Sequence, residues 1–429
     1  MYLKNKNLYK KSLHHSKTEI SLVKTNQPKC SKKHGRIKTK KGCRTVKILH
    51  TADWHLGKIV NSVHMTEDQS YILDQLITII KDEKPDVIIV AGDLYDRSIP
   101  PKEAVELLNR VLTSIITDLK IPTLAISGNH DSPDRLEFGS QLFKEQNLYI
   151  ETKLKGDLEP ITLHDASGPV HFHLIPYIEP ADARAFFGDE NIQSHQAAMS
   201  AIVKHIEQHN DMTERHVFVG HAFLAGGMES ESEERLSMIG GSPYVDANLF
   251  EDFNYVALGH LHQPQRVTRE NIRYSGSILK YSFSESNHKK SVTMIDIDEA
   301  GECDIVQIPL RPKRDMRIIE SYFNELINGT EIEQTEDFLH ISLLDDGQLV
   351  DPMGKLRKKY PNILRLERKV LSSKMKLNDL NRIREKQQMT HTQLFEAFYQ
   401  EMKGESISGE RQNQMNRIVQ TLVEQERGK

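Results

Sequence analysis

The sequence predicts an α/β fold: a mainly parallel sheet covered by helices, a second sheet packed on it, then a small α+β module and terminal helices. Three observations carry this. Short β-branched runs alternate with helical spacings at the start of the body. Later runs alternate apolar and polar residues. The C-terminal stretch is polar with narrow apolar stripes.

Val46–Ala52 reads as a strand and Thr66–Lys81 as a helix, with Tyr71, Ile72, Leu76, Ile79 and Ile80 at helical spacing. Asp86–Ala91 is a β-branched strand. Lys102–Leu119 is a second helix, and Pro100 and Pro101 suit its first turn. Ile121–Ser127 is the next strand. This β-α-β-α-β order gives a mainly parallel sheet. His171–Ile175, His216–His221, Tyr255–Leu258, Ile272–Tyr274 and Ser291–Asp298 supply the second sheet, and Ser284–Lys290 reads as a polar loop. A boundary falls near Pro309–Arg314. Beyond it, strand Phe338–Leu344, helix Pro352–Lys359 and strand Asn362–Val370 form a small module. Two helices then fill 376–429, broken between Gly404 and Gly409. The domains are thus 1–45, 46–310, 311–375 and 376–429.

The chain has 57 basic and 61 acidic residues, a balance that hides a split. Residues 1–45 hold 14 Lys/Arg against a single acid, Glu19. A basic arm on an acidic body points to nucleic-acid contact. The arm has no apolar core of a secretory signal and is expected to be disordered. The run from Val46 reads like a natural first strand, so Val46 is also a candidate start, translated as methionine. Intact mass of the native protein decides this. The three cysteines, Cys30, Cys43 and Cys303, exclude a disulfide scaffold and fit a reducing cytoplasm. No apolar run reaches the ~18 residues of a membrane span.

Five motifs sit at the carboxyl ends of predicted strands, where open α/β folds place their sites. They are Asp53-Trp54-His55, Gly92-Asp93-Leu94-Tyr95-Asp96, Gly128-Asn129-His130-Asp131, Gly220-His221 and Gly259-His260-Leu261-His262. A lone Gly-His pair is more often a turn with a surface histidine. Five motifs in series, each after a β-like run, are not explained that way. Carboxylates, an amide oxygen and imidazoles suit Mn2+, Fe2+ or Zn2+. Seven such side chains are too many for one ion and right for two. Residues two apart on a strand share a side, so Asp53 and His55 are expected to reach one ion together, with Trp54 turned away. His260 and His262 have the same spacing, but a loop could send one to each ion.

This order of motifs resembles the calcineurin-like metallophosphoesterase superfamily over residues 46–290. His50-Thr51-Ala52-Asp53-Trp54-His55-Leu56-Gly57, Gly220-His221-Ala222-Phe223 with Gly240-Gly241, Tyr255 to Gln265, and Tyr274-Ser275-Gly276-Ser277 are similar to its SbcD nuclease-subunit family. The resemblance implies a two-sheet α/β/β/α metallophosphoesterase sandwich with a capping domain. It implies one ion on Asp53, His55, Asp93 and His262, and another on Asp93, Asn129, His221 and His260. His130 would face the scissile phosphate. Asp96 stands where some relatives have histidine, and its carboxylate is expected to accept a hydrogen bond from His130.

The same resemblance implies a manganese-dependent nuclease acting on duplex DNA ends and hairpins in repair, recombination and replication, in the cytoplasm at the nucleoid. The partner would be the ATPase SbcC, gripped by 376–429, in a complex of two copies of each chain. The chain has no Walker-type phosphate loop, so ATP use belongs to the partner. Lys355, Arg357, Lys358, Lys359, Arg365, Arg368 and Lys369 make the capping module basic, which fits phosphate contact or a solvated face. Two rival readings stay open: a small-molecule phosphodiesterase or phosphatase, and a non-catalytic DNA-end tether.

Overall fold

The computed structural model describes residues 19–21, 45–233, 244–329, 335–346, 349–369, 393, 395, 396, 399 and 407–417. Two sheets form the body. The first runs Cys303–Pro309, Ser291–Ile297, Val46–Thr51, Val87–Ala91, Thr123–Ile126, Leu148–Glu151. Its last four strands are parallel and its first two join antiparallel. The second runs Glu19–Ser21, Ile161–Asp165, Gly168–Ile175, Arg215–His221, Tyr255–Gly259, Arg269–Tyr274, Gln265–Val267.

Strand alternation assigns the faces. Ile48, Ile89, Leu124 and Ile126 of the first sheet meet Phe172, Val217, Val219 and Ala257 of the second in a core between the sheets. Leu49, Ile88, Val90 and Ala125 face outward onto helices Thr66–Glu83 and Lys102–Thr113, through Ile72, Leu76, Leu107 and Val111. On the far side Phe218, Val256 and Leu258 pack on helix His195–His209 through Met199, Ile202 and Ile206. The layers are therefore α/β/β/α, as expected. The Lys102 helix changes to a π-helical turn, Ser114–Leu119, before the next strand.

Three details depart from the sequence reading. Within the arm expected to be disordered, Glu19–Ser21 is a short edge strand, parallel to Ile161–Asp165; its neighbours lie outside the described residues. A strand absent from the expectation, Met316–Ser321, joins Phe338–Leu343 and Ile363–Arg368 in a three-stranded sheet. The stretch at the expected boundary near 310 is also tied to the first helix. Among the described residues the chain divides into two compact units, one holding 45–319 with 335–341 and 353–366, the other holding 320–328, 342–346, 349–352 and 367–369. Arg314 Nε donates to the buried carboxylate of Asp68 at 3.0 Å, and the guanidinium lies 4.7 Å from the Phe338 ring centroid. Polar residues at 309–314 thus pin the chain to the first helix instead of marking a linker. Of the terminal helices, 409–417 is helical and most of the rest lies outside the described residues.

Candidate metal centre

All seven expected ligands fall at the ends of the central strands, where the two sheets meet. Asp53 and His55 follow Val46–Thr51, and Asp93 follows Val87–Ala91. Asn129 follows Thr123–Ile126, His221 ends Arg215–His221, and His260 and His262 follow Tyr255–Gly259.

The backbone there is unusual. Asp53, His55, Asp93 and His260 have φ of 52°, 46°, 50° and 103°. Left-handed conformations cost non-glycine residues about 1–3 kcal/mol each and cluster where function requires them. This corrects the strand argument for Asp-x-His. The strand stops at Thr51, and Asp53 and His55 are both left-handed residues beyond it: Asp53 groups with Asp93 and His221, His55 with Asp93 and His130. Trp54 does turn away: it is fully buried and its Nε1 donates to Thr51 Oγ1 at 3.0 Å.

Main-chain bonds fix the loops to one another. Asp53 N donates to Gly92 O at 3.1 Å and His55 N to Asp93 O at 2.9 Å. The buried Gln69 clamps the first loop from below: its Nε2 donates to His55 O at 2.7 Å and its Oε1 accepts from Gly57 N at 3.0 Å. Asp131 joins the second and third loops, accepting from Gly128 N (3.0 Å), Leu94 N (3.1 Å) and Tyr95 N (2.9 Å). Gly259 lets the sheets close, since a Cβ there would lie 1.8 Å from Ala91 O. That oxygen is 3.0 Å from His221 Nδ1 and orients the ring.

The side chains form one buried cluster with two ends. At one end His55 Nε2 and His262 Nε2 are 3.0 Å apart. At the other, Asn129 Oδ1 lies 3.0 Å from His221 Nε2 and 3.3 Å from His260 Nδ1. Asp93 sits between: Oδ2 is 3.5 Å from His55 Nε2 and 3.4 Å from His221 Nε2, while Oδ1 accepts from His130 N at 3.0 Å. Asp53 Oδ1 accepts from His260 N at 2.9 Å and lies 3.9 Å from His221 Nδ1. The donor atoms of His55, Asp93 and His130 group within 4.8 Å of one another, as do those of Asp53, Asp93 and His221. His130, expected to face substrate, thus also borders the cluster.

Burial raises the Asp53 carboxyl to about 7, against the pull of His221 and His262. Burial also opposes ionisation of Asp93, but His221 and His55 hold it well below the usual range. Burial alone would lower His221; Asp93 and Asp53 overcome it and raise the ring to about 9. Asp53 Oδ2 and His55 Nδ1 are buried with no hydrogen-bond partner. An orphaned buried acceptor is costly unless a cation satisfies it. Two carboxylates, an amide oxygen and four imidazoles fit a pair of divalent ions.

One expectation is corrected. The bond to His130 Nδ1 comes from the main-chain oxygen of Asp96, at 2.9 Å. The Asp96 carboxylate turns instead to Lys58 Nζ at 2.7 Å, with His55 Nδ1 at 3.9 Å. The nearby lysine competes for the carboxylate, and the turn offers a carbonyl in its place.

Sequence reasoning missed the frame around His262. Glu285 and Lys290 lie in the stretch expected to be a polar loop, yet both are buried, and Glu285 Oε1 is 3.1 Å from His262 Nδ1. Glu233 Oε1 accepts from His262 N at 2.8 Å. Their only sequence signal is a carboxylate and a lysine beside apolar Phe283 and the strand Ser291–Ile297.

The profile of the calcineurin-like phosphoesterase family matches residues 46–264, and that of the type 5 capsule protein repressor C-terminal domain matches 312–403. The SbcD subunit of nuclease SbcCD from Staphylococcus saprophyticus subsp. saprophyticus is 37% identical over 381 residues, 89% of this chain and 99% of that protein. Its counterpart in Staphylococcus epidermidis is 36% identical over 382 residues, 89% of this chain and 100% of that protein. A solved structure from Thermus thermophilus and a dimetal phosphatase from Danio rerio align with TM-scores of 0.35 and 0.34, at 13% and 11% identity, each over 62% of this chain and 99% of its own. Fold, donor cluster and family profile define a metal-dependent phosphoesterase. The chain belongs to the calcineurin-like phosphoesterase family, in its SbcD branch of nuclease subunits, and is a phosphodiester hydrolase.

Proposed function

We propose that the chain is a manganese-dependent DNA nuclease, a double-strand exonuclease and a hairpin and single-strand endonuclease, working with the ATPase SbcC in DNA repair, recombination and replication. The observation that carries this is Asp93, whose one oxygen faces imidazoles at both ends of a buried donor cluster. Asp53, His55, Asp93 and His262 would hold one ion; Asp93, Asn129, His221 and His260 would hold the other. Two such ions would supply charge neutralisation of the phosphodiester and a water of lowered pKa.

The chain's own residues do the rest. A carbonyl cannot donate, so the bond to Asp96 O places a proton on His130 Nδ1. That leaves Nε2 as the nitrogen that takes up and gives back a proton, the position from which a protonated His130 stabilises or protonates the leaving oxygen. His130 N, by donating to Asp93 Oδ1, ties this group to the metal cluster. Water would attack phosphorus in line with the leaving oxygen, whose P–O bond breaks as it takes a proton from His130, and no covalent enzyme intermediate is required.

DNA contact draws on the exposed Lys355, Arg357, Lys358, Arg365, Arg368 and Lys369. Part of this charge also serves the fold: Arg357 donates to Ile363 O at 3.1 Å, Lys359 Nζ to Gly329 O at 2.8 Å, and Lys369 pairs with Glu320 at 2.7 Å. The chain acts as a homodimer in a complex with two copies of SbcC. Phe138 and Leu142 support self-association: Phe138, just past the helix Pro133–Glu137, is 85% exposed, and Leu142, in the helix Ser140–Lys144, is 72% exposed. Among the described residues no helix is long and apolar enough to cross a membrane.

The test is cleavage of end-labelled linear and hairpin-ended duplexes with Mn2+, alone and with SbcC plus ATP. Wild-type protein is expected to cut; His130→Ala is expected to bind Mn2+ and not cut. An uncut substrate under every condition, with metal loaded, would move the activity to a small phosphoester or the protein to a tether.

A further inference from the structure

His262 is held in a way the other cluster imidazoles are not. His221 turns its outer nitrogen to a main-chain oxygen, Ala91 O. His262 Nδ1 meets a buried carboxylate: Glu285 Oε1 at 3.1 Å, with Ser232 Oγ also at 3.1 Å. Glu285 ends a short 3-10 turn, Phe283–Glu285, and its Oε1 also accepts from Tyr281 N at 3.2 Å. Its other oxygen accepts from Lys290 Nζ. That ammonium is buried too, and donates to His262 O and to Ser277 Oγ, each at 2.7 Å. One ion pair therefore holds His262 by its ring and by its main chain.

The consequence for the ring follows from proton counting. A carboxylate facing Nδ1 makes that nitrogen the donor, which leaves Nε2 bare. Nε2 is the atom that lies 3.0 Å from His55 Nε2, inside the cluster. A buried ion pair is a poor device for stability alone, because an apolar pair of similar volume often does as well or better. Here the pair is aimed at a single ligand. Lys290 also precedes Ser291–Ile297, the strand that pairs with Val46–Thr51, so the frame is continuous with the loop of Asp53 and His55.

We propose that Glu285 and Lys290 are positioning residues. They fix the tautomer and direction of His262 so that the ion at the His55–His262 end is bound tightly, while the ion at the Asn129–His221–His260 end does not depend on them. The proposal rests on the two-ion reading above, and its test separates the two. The full-length chain is freed of metal with chelator and titrated with Mn2+. Binding is followed by calorimetry and by the electron paramagnetic resonance of free and exchange-coupled Mn2+. Glu285→Leu/Lys290→Met removes both charges at once and leaves no unpaired one; Glu285→Asp restores a carboxylate at shorter reach.

In the double variant one Mn2+ is expected to bind roughly 10–100-fold more weakly and the other as in wild type. The coupled signal then appears only at correspondingly higher Mn2+, and Glu285→Asp recovers part of the loss. Two wild-type affinities in the folded double variant would overturn the proposal. So would equal weakening of both ions with a lowered unfolding temperature of the metal-free chain, which marks a structural role. A wild-type chain that binds fewer than two ions removes the metal reading itself, and this inference with it.

Discussion

At the scale of single residues, His130 bonds to the main chain of Asp96, where the sequence pointed to the carboxylate. Asp96 was legible as an acid poised near a histidine. The choice between its carboxylate and its carbonyl was not legible, because Lys58 decides it and comes from an earlier loop. With Nδ1 bonded to Asp96 O and the carboxylate on Lys58, the side chain at 96 does not set the His130 tautomer. Asp96→Asn keeps the carbonyl and is predicted to lower the single-turnover rate of hairpin cleavage less than about tenfold. His130→Ala should lose on the order of 10²–10⁴-fold, the usual contribution of a general acid or base. Comparable losses in the two variants would return the carboxylate to the role of His130's partner.

At the scale of elements, the second sheet carries a histidine row away from the metal cluster. Strands Gly168–Ile175 and Arg215–His221 are parallel, with His216 in register with His171. His216 stacks on His171 at 4.8 Å and on His173 at 5.3 Å, and His173 Nε2 lies 3.0 Å from His216 Nδ1. Burial first, then His216 and His171, hold His173 well below the ordinary histidine range. Its folded pKa lies under the unfolded value of about 6.5, so the unfolded chain takes up the proton first. The stability it contributes is complete above that pH. It falls as pH drops below about 6.5, by at most ~1.4 kcal/mol per pH unit for this one group, until the folded pKa is passed. Urea unfolding of metal-free wild type and His173→Leu, from about pH 7.5 down to about 4.5, covers the range in which histidine titrates and measures this. The wild-type curve should fall more steeply on acidification, and parallel curves would refute the account. The strands themselves were legible as short runs in which apolar and polar residues alternate. The row was not, since only the register of two strands distant in sequence brings the rings together.

For the whole molecule, the site is where two sheets are stitched into one body. Asp53, His55, Asp93 and Asn129 come from the first sheet; His221, His260 and His262 come from the second. The donor cluster was readable because Asp, Asn and His after β-like runs have few structural reasons to recur in series. The supports around them, Gln69, Glu285 and Lys290, were hidden in a helix and a polar stretch, where nothing local distinguishes them from solvent-facing residues. A cluster that joins two sheets through buried charge makes stability depend on metal. Without a cation, Asp53 Oδ2 has no partner and Asp53 is raised to about 7 by its burial. An ion that binds only the folded chain contributes about 2.7 kcal/mol per site at a hundredfold excess over its Kd. For a domain of this size that corresponds to a rise of roughly 5–10 °C in Tm per site. Mn2+ added to chelator-treated protein is therefore predicted to raise the unfolding temperature in a concentration-dependent way. Asp93→Asn should abolish most of the rise, because its oxygen faces the imidazoles of both ends. A Tm indifferent to Mn2+ and to chelator would mean that the buried carboxylates are neutralised by protons alone and that the cluster does not hold the ions its donors fit.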